Sequence, residues 1–186
     1  MSVTIKITRS RLKKILDHFA KQSNHKDFAN YIDNRIDYKF NKDSRYKSDR
    51  NNMVKRLCTD SYSEAILWEF SGRKFIPNFE VSQSKNYNYP DFKDAGFNMG
   101  LKTSNIKNPH LIQKPHNVKY NELMAHIDLH KDHVEYIILG VATINIMKEY
   151  GDENLVLSPS AKKYKNGFNR YDLLEPVYSF DNLSRF

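Results

Sequence analysis

A single cysteine, Cys58, stands in a chain of 186 residues. No internal disulfide can therefore staple the fold, and a reducing compartment suits it. No apolar run approaches the roughly 20 residues needed to span a bilayer. The opening "MSVTIKITRSRLKK" lacks the apolar segment of a secretory signal, so a cytoplasmic protein is expected. Neither G-x-G-x-x-G nor a Walker A pattern occurs, which argues against nucleotide-driven chemistry. G-x-S-x-G is missing too, which argues against a serine triad on a nucleophile elbow. Internal repeats and low-complexity tracts are likewise absent.

What the chain has in excess is positive charge, unevenly placed. Of its 30 Lys+Arg and 22 Asp+Glu, residues 1–56 hold 15 and 6, a surplus of nine. The rest of the chain is nearly balanced. Charge segregated in this way is an electrostatic footprint for a polyanion, because phosphates attract Lys and Arg whatever the base sequence. A solvated basic helical face is the plainer alternative. The abundance of Asn, Lys, Tyr and Ile fits an A/T-rich coding genome such as a phage's, with the protein then acting in a host cytoplasm.

Hydrophobic periodicity predicts helices over 9–22 and 26–40. In the first, Leu12, Ile15, Leu16 and Phe19 share a stripe, and Ser10 or Thr8 caps the start. Residues 41–52, "NKDSRYKSDRNN", read as a flexible basic loop, and a third helix is expected from 53 to about Gly72. Strands are expected over 74–82, despite Pro77, and over 97–104, with an irregular stretch at 105–118. A helix over 119–130 and a buried strand over 134–146 follow, then a strand in "ENLVLSPS" and a loosely patterned tail from Lys162. The order suggests an α/β fold, a mixed central sheet flanked by helices. A basic helical arm, 1–52, would precede a core, 53–186.

The stretch "YPDFKDAGFNMGLKTS" carries the chemistry. Hydrolysis of a phosphodiester at neutral pH calls for a divalent cation, which draws charge off the phosphoryl oxygens and activates water. Mg²⁺ takes hard oxygen ligands, and a nearby lysine orients water or balances developing charge. Asp91 before a turn and Lys102 ending a strand supply an acid and a lysine. "YPD" and "GLK" in this arrangement resemble the PD-(D/E)xK nuclease superfamily, the restriction-endonuclease-like fold. The resemblance extends to the family's core of helix, three strands, helix and strand, set against residues 53–146, about half the chain.

The resemblance implies Mg²⁺, with Mn²⁺ able to substitute. Asp91 would be the central metal ligand, Lys102 the catalytic lysine, and Glu64 in "SYSEAILWEF" the auxiliary acid. The sequence departs from the family at Gly100, where an acidic residue should stand two before the lysine. Glu80 or Asp94 would supply the missing carboxylate, or the ion would be held by Asp91, Glu64, water and the Leu101 carbonyl. A dead site that only binds nucleic acid is the third alternative.

Taken singly, "YPD" is an ordinary turn opener and Lys102 an ordinary snorkelling lysine. A competing zinc site is Glu122, His126 and His130, stacked on one face if 119–130 is helical, with His133 just beyond. Contacts to nucleic acid are expected from Arg11, Lys14, Arg45, Lys47, Arg50, Lys85 and Tyr87. There Tyr interleaves with basic and amide side chains, so bases stack while phosphates accept hydrogen bonds. The function expected is a metal-dependent endonuclease acting on DNA, with RNA a second polyanion the same charges would accept. Cutting both strands would call for a homodimer. The alternatives are an inactive nucleic-acid-binding protein on the same fold and a basic protein-interaction factor.

Overall fold

The computed structural model describes residues 2–42, 49–81, 90–105, 111–113, 119–155 and 166–186. The chain opens with a strand the periodicity left unassigned, β1 (Val3–Thr8), and passes directly into α1 (Arg9–Gln22). Thr8 is the hinge between them: its Oγ1 accepts the Arg11 N–H at 3.2 Å, satisfying one of the free amides of the first turn. Leu12, Ile15, Leu16 and Phe19 are buried along one stripe, as expected. Helix α2 (Phe28–Lys42) starts where Asp27 Oδ1 takes the Asn30 N–H at 2.9 Å. Helix α3 (Arg50–Phe70) begins inside the expected loop and ends just before Gly72, whose φ of +61° suits glycine.

Two compact units divide the chain. Residues 5–89 and 129–135 form one; residues 1–4, 90–128 and 136–186 form the other. In the first, α1, α2 and α3 pack on one another, so the helix bearing Glu64 belongs with the basic segment before it. Aromatic rings fill the space between these helices. Tyr31 stacks on Phe79 at 4.6 Å between centroids, and Phe19 meets Trp68 edge-on at 5.4 Å.

The strand expected over 74–82 is not one, as far as residue 81. Its alternation is real, with Phe75, Pro77 and Phe79 buried and Ile76, Asn78 and Glu80 exposed, but among the described residues no strand pairs with it. Side chains from the helices and the turn serve its backbone instead. Ser71 Oγ accepts the Phe75 N–H at 2.9 Å, Glu64 Oε2 accepts the Asn78 N–H at 2.7 Å, and Arg35 donates to the carbonyls of Glu80 and Val81.

The principal sheet has four strands in the order β1-β5-β4-β2, comprising β2 (Met99–Ser104), β4 (Asn121–Leu129) and β5 (His133–Ala142) with β1. Strands β2 and β4 are parallel, with Gly100 opposite Glu122 and Lys102 opposite Met124. A small antiparallel pair, β3 (Leu111–Gln113) with β6 (Asn166–Phe168), forms a second sheet. The architecture is thus mixed α/β.

The helix expected over 119–130 is strand β4. Its apolar signal, Leu123 and Ile127 four residues apart, fits a period of 3.6 and a period of 2 equally well. Leu123, Ala125 and Ile127 line one face, while Glu122, Met124, His126 and Asp128 line the other. The buried strand expected over 134–146 stops at Ala142, where Thr143 caps the short helix α4 (Ile144–Glu149). In β5, Gly140 (φ +146°) admits the backbone of Glu175, whose carbonyl oxygen would lie 2.7 Å from an added Cβ. Of "ENLVLSPS", residues 153–155 form a 3-10 turn and the remainder lies outside the described residues.

Candidate functional site

Asp91 is placed by a loop that doubles back on β2. After Pro90 the chain makes a 3-10 turn over Lys93–Ala95, closed by Gly96 in the left-handed region (φ +94°). The return brings the Phe92 N–H to the Met99 carbonyl at 3.1 Å and Asp91 Oδ2 to the Leu101 N–H at 2.6 Å. Strand β2 is the outer strand of its sheet, so these two bonds serve the side of its backbone turned away from β4. Asp91 is exposed, although protein atoms crowd its carboxyl. The loss of bulk water around it raises its pKa above the ordinary aspartate range. The Leu101 N–H and the Lys102 ammonium oppose that rise without cancelling it.

The space beside Gly100 is filled from the neighbouring strand. Gly100 pairs with Glu122 in register, and paired residues of parallel strands point to the same face. A Cβ built on Gly100 would lie 2.1 Å from Glu122 Oε2, 2.6 Å from Cδ and 2.9 Å from Oε1. The carboxylate of Glu122 therefore occupies the space an acidic side chain at position 100 would have started from. Only glycine leaves that space open. Glu122 is 8% exposed, one of the few charged residues held in the interior. Lys102, two residues beyond Gly100, projects to the same face and is exposed. Asp91, Glu122 and Lys102 thus belong to one element pair, β2 with its loop and β4, in one compact unit.

Glu64 and Glu80 lie in the unit of residues 5–89 and 129–135, where Glu64 holds the Asn78 amide and Glu80 is an exposed part of the extended segment. Asp94 is exposed in the 3-10 turn. Leu101 remains beside Asp91 through its N–H, as described.

Among the basic residues, Arg11 donates to both carboxylate oxygens of Glu69, at 3.1 and 2.9 Å, and Arg50 pairs with Asp33 at 3.0 Å. Both pairs are exposed, and pairs of that kind hold their partners weakly enough to exchange for a phosphate. Lys14 is exposed on α1. Arg45, Lys47, Lys85 and Tyr87 lie outside the described residues.

The helical zinc face does not form. On strand β4 the four-residue step between Glu122 and His126 is about 13 Å, too far to share an ion, and His130 lies beyond the strand's end. His126 Nε2 instead lies 2.9 Å from Asp128 Oδ1. His130 and His133 end up together across the turn between β4 and β5, with ring centroids 4.4 Å apart.

Glu122 is the site residue that the linear reading put to a different use. The signal that identifies it is the register of β2 against β4, and a helical reading of 119–130 conceals that register. No family model matches the chain, and no curated protein or solved structure is similar to it.

Proposed function

We propose that the protein is a metal-dependent endonuclease that hydrolyses phosphodiester bonds in DNA, with Asp91, Glu122 and Lys102 at its centre. The observation that carries this reading is the Glu122 carboxylate lodged over Gly100. It supports a variant of the PD-(D/E)xK arrangement in which the second acid rises from the adjacent strand.

The residues present suit a hard divalent cation. One carboxylate, Asp91, is held in the loop before β2 by a backbone amide, and the other, Glu122 on β4, is seated in a cradle that a Cβ would fill. Asp91 and Glu122 would hold Mg²⁺ or Mn²⁺, with the Leu101 carbonyl a further oxygen on the same strand. When bound, the ion would withdraw charge from the phosphoryl oxygens and make its water more acidic. Lys102, exposed on the shared face, would orient the attacking water and offset the charge that builds on the phosphate.

The basic surplus of residues 1–56 would hold the polyanion, with Arg11 and Arg50 trading their carboxylate partners for phosphates and Lys14 adding a contact. Cleaving both strands of a duplex would bring two copies of the chain together. Among the described residues no helix is long and apolar enough to cross a membrane.

The test is plasmid cleavage with Mg²⁺ or Mn²⁺, comparing wild type with Asp91→Asn, Glu122→Gln and Lys102→Ala. Loss of nicking in all three is expected; equal nicking by wild type and variants removes the assignment. A second reading, a nucleic-acid-binding protein without catalysis, is favoured by the 2.6 Å bond through which Asp91 closes the β2 edge, a structural task in itself. It expects salt-sensitive binding to DNA and no metal-dependent turnover.

A further inference from the structure

The turn between β4 and β5 gathers His130, His133 and Glu135, whose ligand atoms all lie within 4.8 Å of one another. We infer that these three side chains form a binding site for a borderline transition-metal ion such as Zn²⁺, separate in residues and chemistry from the carboxylates of the proposed nuclease centre. Two imidazoles and a carboxylate suit Zn²⁺ or Co²⁺, where Mg²⁺ would ask for oxygen alone.

The spacing is close to what such an ion needs. Bonds of about 2.0–2.2 Å place the ligand atoms of a tetrahedral zinc about 3.4 Å apart. Here His133 Nε2 stands 3.3 Å from Glu135 Oε1, and His130 Nε2 stands 3.8 Å from Glu135 Oε2.

The Asp132 carboxylate favours the tautomer in which His133 can ligate. His133 Nδ1 lies 2.7 Å from Asp132 Oδ1, the outer carboxylate that fixes a metal-binding histidine's tautomer and ring angle. With the proton on Nδ1, the lone pair of Nε2 faces the Glu135 carboxylate. Two acceptors confronting each other at that distance call for a cation or a proton between them. The His130 and His133 rings are nearly parallel, 12° apart, so one must turn for both lone pairs to meet. His130 is the one able to do so: its side chain is 45% exposed, against 14% for His133.

The backbone under these ligands is anchored without any ion. Arg9 donates from Nε and Nη2 to the His130 carbonyl at 3.0 and 2.9 Å, and its own N–H bonds the Asp132 carbonyl at 2.9 Å. Lys6 Nζ, 3.5 Å from Glu135 Oε1, is largely exposed and free to withdraw. Three protein ligands leave a fourth position for water.

Titration of the chelator-stripped full-length chain with Co²⁺, read by the visible absorption of four-coordinate cobalt, tests the site. One equivalent is expected to bind and to be displaced by Zn²⁺ but not by a hundredfold excess of Mg²⁺. His133→Ala and the shape-preserving Glu135→Gln should lose the signal. Asp132→Asn should weaken it by about 10–100-fold, and His25→Ala should leave it unchanged. Absence of Co²⁺ or Zn²⁺ uptake at stoichiometric concentration overturns the inference and leaves a shared proton in its place. Uptake that survives both His133→Ala and Glu135→Gln, or that Mg²⁺ abolishes, overturns it as well. The readout is optical and independent of DNA cleavage, so it stands or falls apart from the nuclease reading.

Discussion

Substituting Gly100 with alanine adds one methyl group, and the structure says where that group lands. The new Cβ would sit 2.1 Å from Glu122 Oε2 and 2.6 Å from Cδ, whereas ordinary contact begins at 3.4 Å. The carboxylate must withdraw by more than an ångström. The atoms met are the far end of a flexible side chain, so the carboxylate moves rather than the strand, and its burial is what makes the move costly. Overpacking of this kind costs about 1–3 kcal/mol, and an ångström of misplacement in a reacting centre costs about 10²-fold in rate. Gly100→Ala is therefore expected to melt earlier and to cleave about a hundredfold more slowly.

Glu122→Gln separates the two effects, since it keeps the shape and removes the charge. It should cleave poorly without a comparable loss of stability. Thermal unfolding by circular dichroism and supercoiled-plasmid nicking rates, measured on both single variants and on Gly100→Ala/Glu122→Gln, complete a cycle. The stability loss from alanine should persist in the glutamine background because its origin is steric. A folded Gly100→Ala protein that nicks DNA at the wild-type rate refutes the role given to Glu122.

Other substitutions probe neighbouring parts of the argument. Asp91→Asn should unfold at a higher temperature than wild type at neutral pH, because asparagine can still accept the Leu101 N–H but no longer carries a crowded charge. The folded Asp91 pKa lies above its unfolded value, so the cost of ionising it is full above the folded pKa and gone below the unfolded one. The gap in melting temperature should accordingly close as the pH falls through that window, and an asparagine variant less stable at neutral pH contradicts it. Glu64→Gln should keep both stability and cleavage, whereas Glu64→Ala should lose roughly 1 kcal/mol by stranding the Asn78 amide; a dead but folded glutamine variant would restore Glu64 to the metal site. Lys14→Ala should weaken DNA binding alike for all sequences and reduce the slope of log K against log salt by about one, as fluorescence anisotropy at several salt concentrations will show.

The helices were the legible part of this chain. In α1 the stripe of Leu12, Ile15, Leu16 and Phe19 and the Thr8 cap are local signals, and nothing distant overrides them. Strand β4 was illegible for a definite reason: with Leu123 and Ile127 four apart, the helical and extended periods coincide, and only β2 and β5 alongside decide between them. The segment after α3 failed in the opposite sense. Phe75, Pro77 and Phe79 alternate as a strand should, yet alternation reports burial and not the presence of a partner. Asp91 and Lys102 could be picked out because one precedes and the other lies within the same strand. Glu122 could not, since its relation to Gly100 is a matter of register between segments more than twenty positions apart.

The segment after α3 also constrains the order of events as the molecule assembles. Its backbone amides at Phe75 and Asn78 are held by Ser71, at the end of α3, and by Glu64 of α3, and the carbonyls of Glu80 and Val81 by Arg35 of α2, so these bonds depend on the helices that position their partners. Native-state hydrogen exchange should show those two amides opening with the helical bundle and not with the sheet. A stretch that looks like a strand would then report on the stability of helices.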